Sequence, residues 1–221
     1  MRPGVIAYDV NETLLDLSAL DDAFEETLGD ASLRPTWFAT MLQVAFTGTI
    51  TGRYVQFGEA QRAALRMVGR RVGRDLADDD VERVVGGMTR LPPHPEVLGA
   101  LTRLRDAGLR QVLLTNSTLE VAQAQARNSG LAGVVDDVLG ADEVRALKPA
   151  AAPYGLVAER CGVPIGEVML VAAHAWDVSG ALAAGARAAF IARPGMVPSP
   201  LGEQPELVVG DLAAFAEEVL G

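Results

Sequence analysis

Short apolar runs that stop at turn residues recur along this chain, and helical patterns separate them. The runs are Val5–Tyr8, Gln111–Thr115, Val134–Leu139, Val168–Ala172, Ala188–Ala192 and Leu207–Val209. Helical periodicity covers Glu96–Ala107, Leu119–Ser129, Ala152–Cys161 and Ser179–Ala184, and Gly108, Gly130, Gly162 and Gly185 each follow a helix as C-terminal glycines do. This alternation predicts an α/β fold, a parallel sheet with helices on both faces. One region breaks the pattern. From Leu17 to about Arg90 no strand is legible, and Ala19–Leu28, Pro35–Thr47, Phe57–Val72 and Asp78–Val85 read as helices. Leu91-Pro92-Pro93-His94-Pro95 marks the return to alternation. The chain therefore divides into a core of residues 1–16 and 91–221 and an all-helical insertion, residues 17–90, after the first strand. At 221 residues it is long enough to bury a core and carry such an insertion.

The first run ends on Asp9. A buried strand that stops on a carboxylate presents it at the carboxyl edge of the sheet, where ligands of open α/β sheets bind. Asp9 reads as a nucleophile held on rigid backbone, or as a strand-end Asp that caps the next turn. The inserted helices lie beside that edge, placed to cover Asp9 and exclude water. Three later segments belong with it. The second strand ends in Thr115-Asn116, which can donate to an anion or cap the following helix. Lys148 precedes Pro149, with Tyr154 beyond, and supplies a fixed cation if it is not a solvated lysine. The fourth strand runs into His174-Ala175-Trp176-Asp177, so one of two histidines lies three residues before an acid at a strand end. His94, in the Pro-rich turn, receives no role.

Composition narrows the partners. A formal net charge of −10 at pH 7 argues against nucleic acid and anionic membrane, which need a basic face. No apolar run spans a bilayer, and Asp9 and Glu12 interrupt the first apolar stretch before it can act as a leader. The single cysteine, Cys161, forms no intrachain disulfide and fits a cytoplasmic protein.

Together the four segments resemble the haloacid dehalogenase superfamily, over nearly the whole chain and in order. Asp9-x-x-x-Thr13 is similar to its first motif, Thr115-Asn116 to its second, Lys148-Pro149 to its third and Asp177 to its fourth. The resemblance implies a Rossmann-like core with a helical cap. Most members are magnesium-dependent phosphatases, whose first motif is similar to Asp-x-Asp-x-Thr and whose fourth carries a carboxylate four residues before the final acid. Here those positions are Asn11 and Ala173. Both the general acid and a metal ligand are missing, so no metal and no cofactor are expected.

In finer detail the chain looks like the L-2-haloacid (type II) dehalogenases. Trp37 followed by an apolar helix, Gly52-Arg53-Tyr54-x-x-Phe57, Lys148 with Tyr154, and Trp176 before Asp177 carry the likeness. It departs at Phe38, where that branch has Arg, at Asn11, where it has an aromatic residue, and at Ala172 and His174, where it has Ser and Asn. The resemblance implies that Asp9 displaces halide from a short 2-haloacid and that water then hydrolyses the aspartyl ester. Lys148 keeps Asp9 ionised, while Thr13 and Asp177 orient the nucleophile, the lysine and the water. His174, as a neutral imidazole near pH 7, is the expected base for that water. Asn11, Phe38, Phe57, Thr115, Asn116, Tyr154 and Trp176 are the expected substrate contacts. The expected partners are the haloacid, halide and a second copy of the chain, since related dehalogenases dimerise. A phosphatase-like hydrolase and a non-catalytic small-anion binder on the same scaffold remain the alternatives.

Overall fold

Val5, Ile6, Ala7 and Tyr8 are all buried, as a central strand covered on both faces must be. In the computed structural model, which describes residues 2–221, this strand, β1 (Val5–Tyr8), pairs in parallel with β2 (Gln111–Thr115) and β4 (Val168–Ala172). β3 (Asp137–Gly140) extends the sheet beyond β2, and β5 (Arg187–Ile191) and β6 (Leu207–Val209) extend it beyond β4. The order β3-β2-β1-β4-β5-β6 is all parallel and reverses direction at β1. Asp9 leaves β1 at that switch point, and its backbone N–H still donates to the Val171 carbonyl of β4 at 3.0 Å.

Alternate residues of each central strand serve two different cores. Ile6, Tyr8, Leu113, Met169 and Val171 face one apolar layer, and Val5, Ala7, Val112, Leu114 and Leu170 face the other. α5 (Val97–Asp106) and α9 (Leu212–Leu220) cover the first through Leu101, Leu104, Leu212 and Phe215. α7 (Ala151–Cys161) and α8 (Ala175–Ala183) cover the second through Tyr154, Val157, Val178 and Ala181. α6 (Leu119–Asn128) follows β2.

Between Leu17 and Arg90 lie α1 (Asp21–Leu28), α2 (Leu33–Ile50), α3 (Phe57–Arg71) and α4 (Asp78–Gly87), with short 3-10 turns at both ends and no named strand. Trp37 locks this group: its ring meets Phe24 at 5.3 Å and its indole N–H donates to the Gln61 carbonyl at 3.0 Å.

Many boundaries shift by one to four residues from expectation, and three of the shifts have a clear local reason. α2 begins two residues before Pro35, because a proline in the first turn gives up an N–H that has no helical partner. The third strand starts at Asp137 rather than Val134, because Val134 closes a 3-10 turn by donating to Leu131. α8 begins at Ala175 rather than Ser179, directly after His174, so Trp176 and Asp177 lie in its first turn.

Candidate active site

The carboxylate of Asp9 is held from both sides. Its Oδ1 accepts from Lys148 Nζ at 2.9 Å. Its Oδ2 accepts from the Thr13 hydroxyl at 2.7 Å and faces His174 Nδ1 at 3.0 Å. Thr13 Oγ in turn accepts from the Ala173 N–H at 2.9 Å, tying the loop after β1 to the end of β4. Arg193 fixes the same loop by donating to the Thr13 carbonyl at 2.8 and 3.1 Å.

Lys148 is fully buried and spans two acids, donating to Asp177 Oδ2 at 2.6 Å and to the Leu114 carbonyl at 2.9 Å. Burial works against its charge, but Asp177 and Asp9 outweigh burial and raise its pKa. Burial also works against the Asp9 anion; Lys148, His174 and Thr13 outweigh it and hold the carboxyl well below the usual range. Asn116 places the lysine: its side chain accepts from the Lys148 N–H at 2.7 Å and donates to the Lys148 carbonyl at 3.1 Å.

Tyr154 donates to Asp177 Oδ1 at 2.6 Å from inside the second core. The tyrosine was an expected substrate contact, and the structure corrects this. It is buried behind Asp177 and does not line the chamber at Asp9. Gly180 makes that seating possible: a Cβ there would lie 2.4 Å from Pro149 and 2.7 Å from the Tyr154 hydroxyl oxygen.

His174 differs more from expectation. Nδ1 faces Asp9, and Nε2 faces Glu12 Oε2 at 3.0 Å. A neutral imidazole donates from one nitrogen only, so two carboxylate partners select the doubly protonated ring. Burial disfavours this charge, but the bonds and charges of Asp9 and Glu12 prevail and lift the pKa to about 9. The ring is stacked between Phe38, at 5.4 Å and 15°, and Trp176, at 5.3 Å and 25°. Aromatic faces favour a cation there. The expected neutral base is therefore an imidazolium in the resting enzyme.

Glu12, which received no role from sequence, completes the arrangement. Its φ of 63° lies in the left-handed region that a non-glycine residue rarely adopts. The signal available in sequence was only a carboxylate inside the first motif. Leu42, Gln125 and Arg193 were also missed, since nothing in their local sequence marks them.

Asn11, Phe38, Phe57, Thr115, Asn116 and Trp176, all expected contacts, do line one chamber over Asp9, with His174 and Leu42. It measures about 10 Å³, room for a water at most. Phe38, Leu42, His174 and Trp176 also line a second, outer cleft of about 320 Å³, so these side chains form the wall between nucleophile and surface. A larger cleft of about 820 Å³ lies between α2 and α3, lined by Gln43, Thr47, Met67 and Arg71, and holds none of the expected site residues.

Several known proteins share this arrangement of chain. Haloacetate dehalogenase H-2 of Moraxella sp. (strain B) is 32% identical over 206 residues, covering 92% of each chain. An (S)-2-haloacid dehalogenase of Pseudomonas putida is 29% identical over 96% of this chain and 94% of its own. The solved structure of the L-2-haloacid dehalogenase from Xanthobacter autotrophicus with chloropropionic acid covalently bound superimposes with a TM-score of 0.92 at 26% identity, over 99% of each chain. The profile of the haloacid dehalogenase-like hydrolases matches residues 4–185, and the chain belongs to that family.

Proposed function

We propose that this protein hydrolyses the carbon–halogen bond of a short 2-haloacid through an ester on Asp9. The observation that carries the reading is Asp9 itself: an ionised carboxylate fixed by Lys148 and Thr13, facing a chamber walled by Phe38, Phe57 and Trp176. Asn11 beside it cannot act as a carboxylic acid, and its side-chain oxygen already accepts from Gln125 at 2.9 Å. A departing halide needs no proton, whereas a departing alkoxide does. The relatives named for haloacetate and (S)-2-haloacids support the same substrate class.

In the first step an oxygen of Asp9 attacks the halogen-bearing carbon in line. A C–O bond forms, the C–X bond breaks, and halide leaves with the electron pair. Asp9 is now an uncharged ester. This removes the largest of the influences that keep His174 protonated, and Lys148 stays close behind, so the imidazolium releases its Nδ1 proton to water. The neutral ring, held through Nε2–H by Glu12, then takes a proton from water as that water adds to the Asp9 carboxyl carbon. Collapse of the adduct expels the 2-hydroxyacid oxygen, which takes the proton from His174. Asp177 and Tyr154 act behind Lys148, keeping it aimed at Asp9. His174 is thus a base of the ester intermediate only.

Residues 17–90 act as the cap over a core of 1–16 and 91–221, and substrate reaches Asp9 when the wall of Phe38, Leu42, His174 and Trp176 parts. Exposed Ile50, Met67 and Val72 on the helical stretch support a homodimer, which light scattering checks. One buried cysteine supports a reducing, cytoplasmic setting, and no helix among the described residues is long and apolar enough to cross a membrane.

Halide release from chloro-, bromo- and fluoroacetate and from both 2-chloropropionate enantiomers tests the reading. A single turnover in heavy-oxygen water should label Asp9 before it labels product. Asp9→Asn should remove about 10⁶-fold of the rate, the order expected for loss of a covalent nucleophile. Label entering the first product molecule directly would overturn the ester mechanism.

A further inference from the structure

The two oxygens of Glu12 are divided between two cations from different parts of the fold. Oε2 faces His174 Nε2 at 3.0 Å, and Oε1 faces Arg34 Nη1 at 3.5 Å. Arg34 belongs to the first turn of α2, and its Nε donates to Asp21 at 2.6 Å. Phe38, which stacks on His174, lies one turn further along the same helix, at the i+4 spacing that shares a face. α2 therefore touches His174 twice, through the Phe38 ring and, by way of Glu12, through the Arg34 guanidinium. Glu12 accepts a left-handed backbone to stand between them.

We propose that Arg34 is a positioning residue for ester hydrolysis: by claiming one oxygen of Glu12 it couples the seating of helix α2 to the release of the proton from His174. The inference rests on the reading of His174 given above. With α2 seated, Arg34 draws part of the Glu12 charge away from the ring, and His174 gives up its proton once Asp9 is esterified. With α2 displaced, Glu12 turns its whole charge on His174 and the ring stays protonated. Water is then activated only while the chamber is covered. The side chains of Arg34 and Glu12 are 17% and 13% exposed, so solvent screens this contact less than an ordinary surface pair.

The other charges around His174 are accounted for. Asp9 faces Nδ1 from the end of β1, with Lys148 and Asp177 behind it. Asp21 lies behind Arg34. The cleft outside Glu12 also holds Asp16, Glu96, Arg193 and His94; Arg193 is engaged by Glu96 at 2.7 Å and by the Thr13 carbonyl. Arg34 is thus the cation placed on the free oxygen of Glu12.

Asp9→Asn supplies the test, because its amide stands in for the uncharged ester. The chain has two histidines, so NMR of labelled imidazoles reads His174 directly, with His94→Gln identifying the other signal. His174 should titrate lower in Asp9→Asn than in the wild type. Adding Arg34→Gln should move it back up, and Arg34→Lys should leave it near the Asp9→Asn value. In the otherwise intact enzyme with chloroacetate, Arg34→Gln should keep the halide burst. Its ester hydrolysis at pH 7 should slow about tenfold, with the pH profile displaced upward. An unmoved His174 titration in the double variant overturns the coupling. So does a slowed burst with an unmoved hydrolysis profile, which marks Arg34 as a support of helix seating alone. If the wild type forms no ester from any haloacid, the function reading fails, while the NMR comparison still decides whether Arg34 acts on His174.

Discussion

Two chains of alternating charge leave Asp9 in opposite directions. One runs Asp9–Lys148–Asp177 and ends on the Tyr154 hydroxyl; the other runs Asp9–His174–Glu12–Arg34 and ends on Asp21. The first is sealed: Lys148 and Asp177 are 0% exposed, and Tyr154 is buried in the second apolar layer. The second opens outward, from 6% exposure at His174 to 42% at Asp21, and passes into the helical stretch. An ammonium between two buried acids keeps its proton throughout the useful pH range. An imidazolium between a reacting acid and a semi-exposed one does not, because the reaction erases one of its partners. In the proposed mechanism the sealed chain fixes the nucleophile, and the open chain supplies a proton switch.

His174 separates the two chains by the largest effect. His174→Ala should leave the halide burst nearly intact and slow ester hydrolysis by about 10²–10⁴-fold, the usual contribution of a general base. Mass spectrometry of the protein during turnover should show the aspartyl ester accumulating. An unchanged ratio of burst to steady state, measured on a folded variant, would remove His174 from the hydrolytic step.

A smaller effect separates the chains in stability. The folded pKa of His174 is raised from 6.5 to about 9, so its contribution is fully present below pH 6.5 and is lost as pH rises through 9. The window is worth at most about 3 kcal/mol. Asp9 runs the other way: its pKa is depressed, so its contribution holds above pH 3.8 and fades in acid. Denaturant titrations at neutral pH and near pH 10 should show the alkaline loss in the wild type and a reduced loss in His174→Gln. Equal losses in both would place the imidazolium's energy elsewhere.

The legibility of the two chains in sequence differs for the same physical reason. Asp9 directly follows β1 and Asp177 comes soon after β4, where backbone regularity announces a site; Lys148 is marked by the proline that follows it, and Thr13 by its fixed short spacing from Asp9. Alternation also made the sheet and the helical interruption readable, because burial on both faces leaves its mark on the central strands β1, β2 and β4. Glu12 and Arg34 carry no such mark. One is aimed by a single left-handed dihedral, and the other is an arginine among many on helices whose partner comes from elsewhere in the fold. The protonation of His174 was illegible because it depends on two carboxylates meeting the same ring. Tyr154 was misplaced because sequence proximity to Lys148 does not say which side of Asp177 a ring occupies.

Tyr154→Phe removes the donor to Asp177 Oδ1 and leaves a buried carboxylate short of a partner. It should cost about 1–3 kcal/mol of stability while leaving KM for haloacids nearly unchanged. A large rise in KM with little loss of stability would return Tyr154 to the substrate.

The smallest effect expected is none at all, on exhaustive treatment with EDTA. A dication at this sheet edge would need oxygen ligands converging with Asp9, usually including further carboxylates. The position next to the end of β4 that could offer one is Ala173, whose N–H is spent on Thr13. Asn11 turns its oxygen to Gln125 rather than toward Asp9. The gap between Asp9 and Asp177 is bridged by Lys148 Nζ, at 2.9 and 2.6 Å. The sealed chain thus already supplies the positive charge that a metal would bring, and a carbon–halogen bond presents no phosphate for a dication to neutralise. Halide release should proceed at the same rate before and after chelation, and added magnesium should not raise it. A rate restored only by magnesium would show that the lysine bridge gives way in solution, and it would revive phosphoryl transfer as the chemistry of Asp9.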